Sequence, residues 1–227
     1  MVGYLPTMYS AFSQRELGIA QLDARAGSPP TVAEALRRLP VEAGEARPDA
    51  VLGDMERWSA ALLETHISYP LLAYYRSQHS NQSWLAALTA TLDTCAVIVA
   101  GAEGVRRDQA RVTFAMGRHA LVDVAQSFVT RPETGMPDRL PAESLARLRE
   151  HLAKTPVRLP STAEFEARLT SLRLLYEPYA QALAQHLLID LPPWIHAEQR
   201  RDNWRGGPWD RARGVRGADV LSAGDHF

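Results

Sequence analysis

The segment WLAALTATLDTCAVIVAGA, residues 84–102, decides the fold because it is the most apolar stretch of the chain and carries a single charged residue, Asp93. Its length approaches the ~20 residues of a membrane span, but a carboxylate at the centre of a span costs about 2.5–3.5 kcal/mol. We therefore expect a buried helix at the centre of a helical bundle in water. A membrane-embedded helix is the alternative.

The composition of the whole chain also favours helices. Ala and Leu together supply 62 of the 227 residues, whereas Val and Ile supply 19, so helix formers dominate and β-branched residues are scarce. The 25 basic and 26 acidic side chains nearly balance, which argues against a basic surface for nucleic acid. The single cysteine, Cys95, excludes an internal disulfide and a CxxC redox or metal site. The sequence thus predicts an all-α fold without a nucleic-acid partner.

Proline and capping residues divide the chain into three parts. A Gly-Ser-Pro-Pro run ends an N-terminal amphipathic helix, so we expect residues 1–30 to form a separate helical segment. Thr31 and Glu34 have the spacing of a capping box, at which the multi-helix bundle of residues 31–195 begins. Helical periodicity then ends. We expect residues 196–227 to form an extended or partly disordered tail, whose tryptophans are candidates for binding a protein partner.

Two further patterns predict how the bundle packs. Ser161 and Glu164 repeat the capping-box spacing and open one long helix with a bend at Pro178. Its apolar residues alternate by four and three positions, so a single stripe should face one partner helix. The stripe comprises Phe165, Leu169, Leu172, Tyr176, Tyr179, Leu183 and His186. The preceding helix, at about residues 105–130, is apolar on two faces, both of which should be packed.

Candidate site residues are present, but no motif assigns their chemistry. The dinucleotide, P-loop, zinc-protease and serine-hydrolase motifs are all absent. The candidates for ligand binding or pH sensing are His66, His79, Asp93, His119 and Asp123. An imidazole titrates near neutral pH, which suits a sensor.

The same residues permit two other interpretations. Buried His and Asp on facing helices can ligate a divalent metal or act as an acid–base pair, although neither Glu-x-x-His copy of the paired-carboxylate metal bundles occurs here. Alternatively, Asp93 pairs with a His or Arg across the core and fixes the register of the helices. The spacing favours the structural network, and we expect no cofactor.

One part of the sequence resembles a known family. The stretch HxSYPxLxYYRSQHxNQSWLAAL, residues 66–88, continues into LDTC at 92–95. With the GYLP opening at 3–6 and the PPW sequence at 192–194, it resembles the cytoplasmic C-terminal region of bacterial two-transmembrane ion channels, the potassium-channel or two-pore-domain-like family. The membrane helices, pore helix and selectivity filter of that family are not in this sequence, so we do not expect this chain to conduct ions by itself.

The resemblance implies that residues 1–30 are a juxtamembrane-type helical segment. It also implies a non-enzymatic regulatory or assembly domain on the cytoplasmic side of the bacterial inner membrane. Such a domain would form a homo-oligomer through the channel assembly, and it would meet the membrane only through the absent N-terminal pore region. The family brings no catalytic residues to this chain. The alternative is a helical metal- or small-ligand-binding protein, possibly an enzyme, that uses the buried His and Asp residues.

Overall fold

The computed structural model describes residues 4–78, 81–128, 131 and 135–196. Within these residues, α-helices pack around one main core, and a short antiparallel hairpin of β1 (Val41–Glu42) and β2 (Glu45–Ala46) lies between the second and third helices. The helices are α1 (Tyr4–Ala26), α2 (Val32–Arg37), α3 (Asp49–Ser68), α4 (Trp84–Ala100), α5 (Asp108–Ser127), α6 (Ala142–Leu152), α7 (Ala163–Leu174) and α8 (Glu177–Leu187). The predicted all-α bundle is confirmed.

The predicted central helix is α4, which begins at Trp84 as expected and ends at Ala100. Each of its residues except Val99 is buried, and α1, α2, α3, α5, α7 and α8 all pack against it. The Ser83 hydroxyl caps its first turn by accepting a 2.9 Å hydrogen bond from the Ala86 amide. In the described part of the chain, no helix is both long enough and apolar enough to cross a membrane.

The prediction of one long helix with a single stripe is wrong. The pattern splits into α7 and α8, and Pro178 lies in the first turn of α8 rather than at a bend within one helix. A proline ring collides with the carbonyl four residues earlier and has no amide hydrogen, so the helix ends and a new one begins where that amide is not needed. Consequently α7 packs on α4, whereas α8 packs on α5 as well as α4.

Two local predictions near these helices also need correction. The α7 cap is Thr162, not Ser161, because the Thr162 hydroxyl accepts the hydrogen bond from the Phe165 amide. The second apolar face of α5 is not fully packed, since Val112 is 52% exposed. By contrast, the Thr31 capping interaction is confirmed, with the Glu34 amide donating to its hydroxyl over 3.2 Å.

Helix α1 packs against α2, α3 and α4 with its C-terminal half, where Ile19 and Leu22 join the main core. It approaches α3 closely at Gly18, where a methyl group would overlap the indole of Trp58. The indole nitrogen of Trp58 donates a 3.0 Å hydrogen bond to the Arg15 carbonyl. Because Gly18 has no side chain, α1 can lie close enough to α3 for Trp58 to form this hydrogen bond.

Part of the predicted organisation lies outside the described residues. This applies to the tail, of which His196 alone is described, and to the candidate His79.

Candidate functional site

The charged residue of the central helix lies in a buried ionic network. Arg139 donates from Nη2 to Asp93 Oδ2 over 2.7 Å and from Nη1 to Oδ1 over 3.2 Å. The Tyr176 hydroxyl donates to Asp93 Oδ1 over 2.5 Å. Arg139 also donates to Glu177 Oε1 and to the Pro192 carbonyl, over 3.2 and 2.8 Å. The carboxylate of α4 is thus joined to three separate parts of the chain.

A second arginine extends this network towards the surface. Arg173 donates to Glu177 Oε2 over 2.8 Å and also to Asp138. Its guanidinium lies 5.5 Å from the ring centroid of the buried Trp194, which is a cation–π distance. The network therefore connects α4, α7 and α8 with the loop before α6 and with the segment after α8.

The pKa values within the network follow from burial and from the opposite charges. Burial lowers the pKa of Arg139, but the charge and hydrogen bonds of Asp93 outweigh it, so the pKa is raised overall. Burial, with the charge of Asp93, raises the pKa of Tyr176 well above its ordinary value. Burial also raises the pKa of Glu177, against the opposing effect of Arg139. Tyr176 therefore remains a protonated donor to Asp93 at neutral pH.

This geometry serves to hold helices together, and the interpretation of Asp93 as one half of a buried ion pair with an arginine is confirmed. Each charged group in the network already bonds to another group of the protein. The sequence did not reveal Arg139, because it lies in a proline-rich loop 46 residues from Asp93 without local periodicity. Tyr176 was assigned only to the apolar stripe, because the helical spacing of a tyrosine does not indicate which group its hydroxyl binds.

The candidate His66 lies elsewhere, fully buried near the end of α3. Its Nδ1 donates a 2.9 Å hydrogen bond to the Leu62 carbonyl, and its ring lies 5.0 Å from that of Trp84. Its Nε2 has no hydrogen-bond partner among the described residues. Burial, with the positive charge of Arg15, lowers the pKa of His66 to about 4. The ring is therefore neutral throughout the range near neutral pH.

His66 lies beside a stretch that we call the bridging segment, residues 69–78, which contains a 3₁₀ helix at Pro70–Tyr74. Buried donors from other helices bind its carbonyl groups. Arg15 of α1 donates to the Leu72 and Tyr75 carbonyls over 2.7 and 2.8 Å, and Trp84 Nε1 donates to the Ala73 carbonyl over 3.1 Å. The bridging segment is thereby bonded to both α1 and α4.

The other side of the bridging segment bonds to the end of α8. The Tyr74 hydroxyl lies 2.9 Å from His186 Nε2, and Arg76 donates to the Leu187 and Leu188 carbonyls over 2.7 and 2.9 Å. Arg76 thus occupies the place of a basic C-terminal cap on α8. The bridging segment is thus hydrogen-bonded to α1 on one side and to the C-terminal end of α8 on the other.

The structure does not bring the described candidate residues into one site. His119 and Asp123 form an i, i+4 pair at 3.5 Å on the water-facing side of α5, whereas Asp93 and His66 are buried in separate surroundings. Among the described residues, no group of three or more His, Cys, Asp or Glu side chains is placed to hold a metal ion.

An open groove of about 640 Å³ lies on one side of the ionic network. Its walls are the loop 136–139, one face of α8 and the segment 188–193 that follows this helix. Arg139 lines the groove and reaches back from it to Asp93. The groove is thus separated from the core by the network.

A second surface feature combines the N-terminal part of α1 with the bridging segment. We call it the end surface and define it as Tyr4, Leu5 and Tyr9 of α1 with Leu71 and Tyr75 of the bridging segment. All five side chains are exposed, with Leu5 and Tyr9 at 68% and 69%. Aromatic contacts hold α1 and the bridging segment together here. Tyr4 lies edge-on at 5.2 Å from Tyr69, and Phe12 lies 6.2 Å from Tyr75 in a tilted arrangement, both measured between ring centroids. An apolar surface of this kind is typical of an interaction site.

The chain matches no protein-family model, no curated protein and no solved structure.

Proposed function

We propose that this chain is a non-enzymatic regulatory and assembly domain of a bacterial ion channel, positioned on the cytoplasmic side of the inner membrane. The end surface is the observation that carries the proposal. The resemblance to the channel family supports it as well. Its longest stretch, within residues 66–88, includes the end of α3, the bridging segment and the start of α4.

The end surface suits a domain that assembles beside a pore. In a homomeric channel the pore-lining helices converge on one axis, so the segments that follow them lie close to their copies in neighbouring subunits. The exposed Tyr4, Leu5 and Tyr9 of α1 would then be covered by the neighbouring subunits. Arg15 and Trp58 fix α1 to the bundle, so a displacement of α1 would be transmitted to the domain.

Replacing Leu5 and Tyr9 together with glutamine should weaken self-association of the chain by at least about 10-fold. Burying one such side chain contributes about 1.5–3 kcal/mol, and about 1.4 kcal/mol corresponds to a tenfold change. Sedimentation velocity over a concentration series measures the association. Val112→Gln with Leu174→Gln is the matched control, since both residues are exposed and apolar but lie on other helices. A chain that stays monomeric, or one affected equally by both double variants, would contradict an assembly role for the end surface.

The assignment to a channel has a separate test in the genomic DNA. We expect the reading frame to continue upstream of the codon for Met1 into two apolar spans that flank a selectivity-filter sequence. An in-frame stop codon immediately upstream of that codon would refute the assignment.

A further inference from the structure

The groove beside Arg139 carries a feature that packing alone does not require. Leu188 at its rim has a φ of +54°, in the left-handed region, and its side chain is 82% exposed. Glycine is the residue that fits this position after a helix without strain. Leu188 ends α8 in this conformation, with the Ile189 amide bonded to the Ala184 carbonyl over 2.9 Å, and the leucine tolerates the strain that a glycine there would avoid.

The charged residues that line the groove are Arg139 and Asp190. Around them lie the carboxylates of Asp93, Asp138 and Glu177 and the guanidinium groups of Arg173 and Arg76, the last of which donates to the Leu188 carbonyl at the rim, so carboxylates exceed guanidinium groups by one. The Nη atoms of Arg139 already donate to two of the carboxylates and to a carbonyl, so they are not available to an anion. None of the described residues forms an ion pair with Asp190, which lines the groove.

The remaining polar groups of the groove are two amides. Gln181 donates one amide hydrogen to the Pro137 carbonyl over 3.4 Å, and Gln185 donates one to Met136 Sδ over 3.1 Å. Each glutamine still presents its carbonyl oxygen, which is an acceptor, and the second N–H of its amide. Met136, Ile189 and Leu191 supply an apolar lining. The lining therefore combines apolar surface with amide groups and the carboxylate of Asp190.

We infer that the groove binds a small organic cation with an apolar body, such as a protonated amine, and that its occupancy acts on α1 through the bridging segment. Leu188 is the first connection between the groove and the bridging segment, because it lines the groove and its carbonyl accepts a hydrogen bond from Arg76. Arg76 and Tyr74 continue to the carbonyls that Arg15 of α1 holds. The effect on α1 rests on the proposed function, whereas the binding does not.

Isothermal titration of the full chain with 4-phenylbutylammonium tests the binding, with 4-phenylbutanol and 4-phenylbutyrate as neutral and anionic comparisons. We expect the ammonium compound to bind at least about 10-fold more tightly than either comparison, because one close charge in partly screened surroundings supplies about 1 kcal/mol or more. Equal binding of the three compounds, or no binding of the ammonium compound up to about 10 mM, would overturn the inference.

Two variants in the groove test whether the compound binds there without disturbing the fold. Leu188→Gly relieves the left-handed strain, so the chain should remain folded while the ammonium compound binds about 5-fold more weakly. Asp190→Asn should weaken the binding by a similar factor, whereas Asp123→Asn on the water-facing side of α5 should leave it unchanged. Unaltered binding in both groove variants would place the compound elsewhere and refute the site.

The transmission to α1 is tested by sedimentation with and without 4-phenylbutylammonium. The compound should change the self-association of the wild-type chain but not that of Arg76→Gln, which keeps the groove and loses the bonds to Leu187 and Leu188. Binding without any change in wild-type association would overturn the transmission. The proposed assembly role would still be judged separately, by association in the absence of the compound.

Discussion

Replacing Asp93 with alanine should lower the free energy of unfolding by about 3–5 kcal/mol, the usual cost of removing one partner from a buried ion pair. The substitution leaves the Arg139 guanidinium buried without its bidentate carboxylate partner, and it removes the acceptor of the Tyr176 hydroxyl. Arg139 then keeps Glu177 and the Pro192 carbonyl as partners, but the N–H groups that bonded to Asp93 lose their carboxylate and stay largely withdrawn from water. For a chain of this length, the melting temperature should fall by about 6–20 °C.

Urea unfolding followed by circular dichroism measures this effect, and Glu164→Ala is its control. Glu164 also pairs with an arginine, Arg168, but both side chains of that pair are largely exposed to water. Exposed pairs contribute less than about 1 kcal/mol, so the control should unfold almost as the wild type does. If the free energy of unfolding fell equally in both variants, the burial of the Asp93 ion pair would not explain its effect on stability.

A double-mutant cycle with Arg139→Gln makes the prediction more specific. Because Asp93 and Arg139 bond directly to each other, the loss in the variant with Asp93→Ala and Arg139→Gln should be smaller than the sum of the two single losses. Simple additivity would contradict a direct interaction between the two side chains.

Acidification should destabilise the protein through His66 by about 3 kcal/mol in total. Its pKa is lowered from 6.5 to about 4 on folding, so the unfolded chain takes up a proton at a higher pH than the folded chain does. The stabilising effect is fully present above pH 6.5, is lost progressively as the pH falls towards about 4, and changes no further below that value. Each pH unit of lowered pKa corresponds to about 1.4 kcal/mol.

Unfolding free energies measured between pH 7 and about 4.5 test this prediction, since most carboxylates remain ionised over that range. His66→Gln should abolish most of the decrease, because a glutamine takes up no proton. His119→Gln is the matched control, as the His119 ring faces water. A decrease that persists in His66→Gln, or that disappears in His119→Gln, would contradict the role given to His66.

Local sequence was sufficient for features whose causes are local. The Thr31 hydroxyl binds an amide three residues ahead, and the apolar run from Trp84 onward has to be buried wherever the remaining helices lie. The end of helix α7 was harder to predict. The four-and-three alternation continues unchanged past Leu174, and only the position that Pro178 takes within a helix distinguishes a bend from a break.

The candidate site shows a larger gap between sequence and structure. His66 and Asp93 were found as polar residues in apolar surroundings. The sequence did not show that Asp93 pairs with Arg139, which lies in an irregular loop, or that the charge of the distant Arg15 acts on His66. Helical periodicity says which side of a helix is apolar. It does not say which loop crosses that side, and this explains why the exposed positions of Val112 and His119 and the half-buried position of Asp123 were not foreseen.

The sequence by itself determined that this protein is helical, that residues 84–100 lie at its centre, and that a carboxylate is buried with them. These outcomes follow from composition and periodicity, because burial of apolar surface does not depend on which neighbour covers it. Only the tertiary structure decided that Arg139 and Tyr176 meet Asp93, and that the bridging segment joins α1 to the end of α8. Such contacts are directional and join residues far apart in the chain, so the packing of whole helices has to place them.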